Sequence, residues 1–104
     1  MNTTYAMCIG KEFSLRGIDY ADEVSVPVDY KGTRFRAGYS IDFVVRRRLA
    51  VMVKCVERLL PVHSAQLITY LRLANLETGL LVNFNVPSLR QGLRRHTVQF
   101  EPPY

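Results

Sequence analysis

Two β-branched runs, Ile41 to Val45 and Leu49 to Val56, stand on either side of Arg46-Arg47-Arg48. Apolar runs this short, split by three charged residues, do not make one helix; they read as two buried strands joined in a hairpin. With the turn centred on Arg47, Asp42 lies opposite Met52, each five residues from the centre. Side chains alternate with period two, so Met52 and Lys54 share a strand face. This register gathers Asp42, Met52 and Lys54 on one surface, and a slip of one residue would scatter them.

The flanking segments add further elements. Residues 3 to 16 carry Tyr5, Cys8, Ile9, Phe13 and Leu15 as a helical stripe, and Arg16-Gly17 predicts the end of that helix. From Glu23 to Tyr30, Val24, Val26 and Val28 alternate with polar neighbours, the period of a half-buried strand. Lys31-Gly32 turns into a second extended piece, Arg34 to Tyr39. Beyond Leu60-Pro61, the spacing of Ala65, Leu67, Ile68, Leu71 and Leu73 predicts a helix from His63 to about Ala74. Leu80 to Phe84 reads as a short strand and Leu89 to Arg95 as a short basic helix. The order is that of a mixed α/β sandwich.

At 104 residues, 48% of them hydrophobic, the chain suits one domain, 1–104, with one core. No apolar run reaches the roughly 18 residues that a bilayer requires, and no leader-like opening is seen, so a cytoplasmic protein is expected. Cys8 and Cys55 lack the spacing of a disulfide framework or zinc site and are expected as buried thiols. Fourteen Lys and Arg against nine Asp and Glu give a net charge of +5, which favours polyanions such as DNA or RNA as partners. Arg46, Arg47 and Arg48 with Arg90, Arg94 and Arg95 are the candidate phosphate contacts, His96 lying beside the second group. Against that stands the usual fate of a charge run, a solvated turn. His63 reads as a cap or packing residue, since neither histidine has the companions of hydrolase or zinc chemistry.

Taken in order, RGIDYADEVSVPVDYKG, GYSIDFVV, PVHSAQLITYLRLAN and GLLVNFNVPSLRQGLRR resemble the small GxxExxY family of the PD-(D/E)XK nuclease superfamily over roughly residues 5 to 96. The resemblance implies a restriction-endonuclease-like three-layer sandwich, with a helix, β-meander, helix and strand around a mixed sheet. It also implies a nuclease site in which carboxylates hold Mg²⁺ or Mn²⁺ beside the scissile phosphate. Hard cations take oxygen ligands, and the ion activates water and neutralises developing charge. By the same resemblance Asp42 matches the metal-binding aspartate, Lys54 the lysine of Glu-x-Lys, and Gln66 and Tyr70 the Gln-x-x-x-Tyr of the second helix. Tyr5 matches the tyrosine that ends GxxExxY.

Two positions depart from the pattern. Met52 replaces the Glu of Glu-x-Lys, and a thioether is a poor ligand for a hard cation. Asn2 stands at the Glu of GxxExxY, and the opening turn of the family's first helix would precede Met1. Glu57 is the nearest acid in sequence that would substitute as a metal ligand, given a bend near Val56. The pattern is therefore that of a degenerate active site. Asp42 and Lys54 are expected as a structural ion pair, with Met52 filling the space left by the missing acid. Three functions stay open: an inactive nuclease-like protein that binds nucleic acid, a weak Mg²⁺- or Mn²⁺-dependent DNA endonuclease, or a partner-binding module that assembles as a homodimer.

Overall fold

The computed structural model describes residues 3–99. Helix α1 spans Thr3–Leu15, followed by β1 (Tyr20–Tyr30), β2 (Thr33–Val45), β3 (Leu49–Lys54), α2 (Pro61–Ala74), β4 (Thr78–Asn83) and β5 (Leu93–Thr97). The five strands lie in the order β1-β2-β3-β4-β5. Neighbours are antiparallel except β3 and β4, which run parallel because α2 carries the chain back between them.

Local signals set the ends of both helices. Past α1, the Ile18 N–H reaches the Phe13 carbonyl at 2.9 Å and that of Gly17 the Ser14 carbonyl at 3.2 Å. This paired closure requires a left-handed residue, and Gly17 supplies it with φ 65°. At the start of α2, Pro61 occupies the first turn, where its missing N–H costs nothing. His63 Nδ1 accepts the Leu60 N–H at 2.8 Å, which makes this histidine a cap.

Two clusters of buried side chains lie on opposite sheet faces. Val26, Ile41, Ala50, Met52 and Leu81 pack under Leu67, Tyr70 and Leu71 of α2. Phe43, Val51, Val53 and Val82 pack under Ala6 of α1, with Ile9 and Phe13 beside them. Alternation along β3 feeds both layers, Ala50 and Met52 going one way and Val51 and Val53 the other. The result is the expected three-layer α/β/α sandwich. Leu67 and Leu71 are at most 1% exposed, and burying each stabilises the fold by about 1.5–3 kcal/mol relative to leaving it in water. The helix comes so close to the sheet at Gly79 that an added Cβ would lie 2.8 Å from Leu67 Cδ1.

Several sequence expectations need correction. Residues 93 to 97 form β5, an edge strand against β4, and only Leu89–Gly92 is helical, as a single 3₁₀ turn. The two extended pieces Arg34 to Tyr39 and Ile41 to Val45 are one strand, β2. Cys8 and Cys55 are exposed, Cys8 on the outer side of α1 and Cys55 just past the end of β3. The face that α1 buries runs through Ala6, Ile9, Gly10 and Phe13, and Leu15 is 67% exposed. No helix among the described residues is long and apolar enough to cross a membrane.

Candidate active site

The hairpin register is the one expected from a centre at Arg47: Val45 pairs Leu49, Val44 pairs Ala50, and Phe43 pairs Val51. Backbone pairing of β2 with β3 stops there. Asp42 continues the contact with its side chain, Oδ2 accepting the Val53 N–H at 2.7 Å. The face alternation of β2 also breaks at this residue, because Ile41 belongs to the α2-side cluster and Phe43 to the α1-side cluster. Opposite, Glu23 of β1 takes φ 46°, a left-handed conformation rare for a residue with a Cβ. Asp42 thus sits where both strands bend, 7% exposed and at the junction of the two layers.

Burial raises the pKa of Asp42 above the ordinary carboxylate value of 3.8, since charge is disfavoured away from water. The Val53 N–H and the charge of Lys54 oppose that rise, while the negative charge of Glu23 adds to it. The expected ion pair of Asp42 with Lys54 is not formed. Lys54 Nζ instead donates to Gln66 Oε1 at 3.2 Å, and Gln66 Nε2 donates to the Tyr70 hydroxyl at 3.2 Å. Gln66 and Tyr70, one turn apart on α2, present a polar ledge to the end of β3, and the ledge takes the ammonium instead of the carboxylate. Met52 fills the neighbouring space as expected, 5% exposed within the α2-side cluster.

Asp42, Met52, Lys54 and Tyr70 line one cavity of about 230 Å³, together with Ser40 and Glu23. A second cavity, about 380 Å³, opens on the α1 side and is lined by Lys11, Asp22, Glu23 and Asp42 among others. Glu57 is an exposed residue on the bend after β3 and lines neither cavity. Glu23 lines both, although at the head of an alternating strand nothing in its local sequence marks it as a site residue. Its only forewarning was the like charge 19 positions ahead of Asp42, a separation that local pattern cannot interpret. Tyr5 stacks on Phe84, ring centroids 4.7 Å apart and planes 6° from parallel, so it ties α1 to the end of β4. Asn2 lies outside the described residues.

Asn83 is a second residue that went unremarked. It is 1% exposed, accepts the Val56 and Asn85 N–H groups on Oδ1 and donates Nδ2 to the Val56 carbonyl. These bonds hold the chain beyond Lys54, where β3 has ended and ladder partners are gone.

The candidate phosphate contacts are all exposed but are not gathered. Arg46, Arg47 and Arg48 form the turn at the opposite end of β3 from Lys54. Arg46 and Arg47 have φ 52° and 61°, which puts both in the left-handed region. On β5, Arg94 pairs Leu81 of the α2-side cluster and Arg95 pairs Leu80 beside the α1-side cluster, so the two point to opposite faces. Arg94 also turns back on its own chain, donating to the Gln91 and Leu93 carbonyls at 3.0 and 2.9 Å. Arg90 lies in the 3₁₀ turn beyond the other end of β5.

As a donor set for Mg²⁺ or Mn²⁺ these residues do not fit. Asp42 is buried and already holds a backbone N–H, Met52 beside it offers a thioether, and among the described residues the exposed Glu23 is the one other acid lining the cavity they share. No group of three or more Asp, Glu, His or Cys placed to hold a metal ion occurs among the described residues. Comparison with curated proteins and with solved structures returned no match. A family model described as the PD-(D/E)XK nuclease superfamily does match residues 1–96, nearly the whole chain; with the sandwich fold and the strand that bends at Asp42, the protein belongs to that superfamily.

Proposed function

We propose that this chain is a degenerate member of the GxxExxY branch that keeps the nuclease scaffold, has lost metal-dependent cleavage and acts by binding nucleic acid. The observation that carries the reading is Met52, 5% exposed and packed into the α2-side core at the position of the missing acid. An apolar side chain held there excludes water and offers a hard ion nothing, while Lys54, Gln66 and Tyr70 remain joined as a polar chain beside it. The net charge of +5 supports a polyanionic partner.

Glu23 favours a second reading, a weak Mg²⁺- or Mn²⁺-dependent DNA endonuclease. It brings a carboxylate to the same cavity as Asp42, Lys54 and Tyr70. One experiment separates the two: incubation of supercoiled plasmid and single-stranded DNA with Mn²⁺ and the natural chain, Asp42→Ala or Met52→Glu. The degenerate reading expects no cleavage by the natural chain, with activity appearing in Met52→Glu. Cleavage by the natural chain that is lost in Asp42→Ala would establish the enzyme instead, and Glu23→Gln would then test the substitute acid.

A further inference from the structure

Beyond Phe43 and Val51, β2 has no ladder partner in β3, yet β1 and β2 continue as a two-stranded ribbon to the turn at Lys31-Gly32. That turn has positive φ at both central residues, 48° and 79°, the geometry that suits a tight hairpin. The pairing shifts register between Val26 and Val28, where Pro27 has no N–H to give and β2 accommodates extra residues around Gly38.

Directly paired residues share a face. Val26 pairs Tyr39, Val28 pairs Phe35, and Tyr30 is the next residue of that face on β1. Tyr30, Phe35 and Tyr39 are therefore aligned along the α2 side of the ribbon, 60%, 50% and 44% exposed. At the inner end the Tyr39 ring lies 5.6 Å from that of Tyr70, whose hydroxyl belongs to the Lys54–Gln66 chain of the candidate site. At the tip Lys31 Nζ stands 5.4 Å from the centre of the Tyr30 ring. Arg34 and Asp29 pair on the other face through two bonds, at 2.9 and 3.2 Å. Residues 29–36 carry Lys31, Arg34 and Arg36 against the single acid Asp29.

We propose, on the reading that the chain binds nucleic acid, that this ribbon is a stacking platform for a single strand. Unpaired bases lie on Tyr30, Phe35 and Tyr39, and Lys31 at the tip meets the phosphates. Exposed ring faces in a row suit unpaired bases, which offer their own faces, whereas bases in a duplex offer only edges. The excess of cations favours a polyanion over a second copy of the chain, which would bring the same charges to a two-fold contact. The row also leads inward to Tyr70, so a strand laid along it is directed toward Lys54.

The test is fluorescence anisotropy with a labelled oligodeoxythymidylate and with a duplex of equal length, for the natural chain, Tyr30→Ala/Phe35→Ala and Phe35→Trp. Both residues are exposed, so neither change disturbs the core. The double variant is expected to lose about tenfold or more in affinity for the single strand, the loss of one or two stacked bases, with duplex affinity unchanged. Phe35→Trp should keep its affinity and, in a chain that otherwise has no tryptophan, show quenching by the single strand alone. Equal single-strand binding by the double variant would overturn the platform and leave nucleic-acid binding standing. Failure of the natural chain to bind either probe would overturn both. If the double variant instead turned a dimer into a monomer in sedimentation, with DNA affinity unchanged, the row would be a contact between copies and the platform would be refuted.

Discussion

Met52→Glu is the perturbation that most directly interrogates the site. Met52 is 95% removed from solvent, so replacing it forfeits about 1.5–3 kcal/mol of apolar burial. The introduced carboxylate also enters a place where burial already opposes the charge of Asp42, and a second like charge adds to the penalty. Together these costs amount to roughly 3–5 kcal/mol without an ion, the range for an uncompensated buried charge. In a domain of this size that lowers Tm by at least about 12 °C. A divalent ion that bridges the two carboxylates binds only the folded state, and at a hundredfold excess over Kd it restores about 2.7 kcal/mol. The assay is thermal unfolding in EDTA and with increasing Mn²⁺. The variant should melt far below the natural chain in EDTA and recover more than half of the loss with Mn²⁺, while the natural chain responds little. A variant as stable as the natural chain in EDTA would show that position 52 is not the desolvated place described. Equal stabilisation of the natural chain by Mn²⁺ would show that Met52 does not deny the site its ion.

Two other outcomes follow from the structure. In Gly92→Ala the new Cβ would lie 2.0 Å from the Asn83 carbonyl oxygen and 3.0 Å from Val86 Cγ2. Backbone must move, so a loss of about 1–3 kcal/mol is expected in urea titration, with an unchanged midpoint counting against this packing. The pH dependence of Asp42 has a defined sign: its folded pKa lies above 3.8, so the native state holds the proton more tightly than the unfolded chain. Stability from this group is complete below pH 3.8 and is lost as pH rises through the raised folded value. In metal-free buffer, Asp42→Asn should remove that decline, and parallel stability curves for the two chains from below pH 3.8 to neutrality would sink the assignment.

The parts of the fold that were legible in sequence are those governed by neighbours in the chain. The Arg46–Arg48 break sets the hairpin centre because the strands on either side of a short turn pair outward from it, and the observed pairs follow it. Gly17 ends α1 because few other residues take a left-handed φ without strain. By contrast, β5 was hidden because an edge strand is solvated, and Arg94, Arg95 and His96 carry no apolar alternation. Cys8 and Leu15 misled because an apolar residue on a helix need not lie on the face that the sheet covers.

For the site, the sequence by itself determined that Asp42 and Lys54 come to one end of one hairpin, with methionine rather than an acid between them. Side-chain identity and strand period suffice for that. Only the tertiary structure decided that Lys54 is held by Gln66, that Asp42 is held by the Val53 N–H, and that Glu23 reaches the same cavity while Glu57 does not. Each of these depends on where a strand bends and how close α2 lies to it. Such choices are made by packing between segments far apart in sequence, and local pattern carries no record of them.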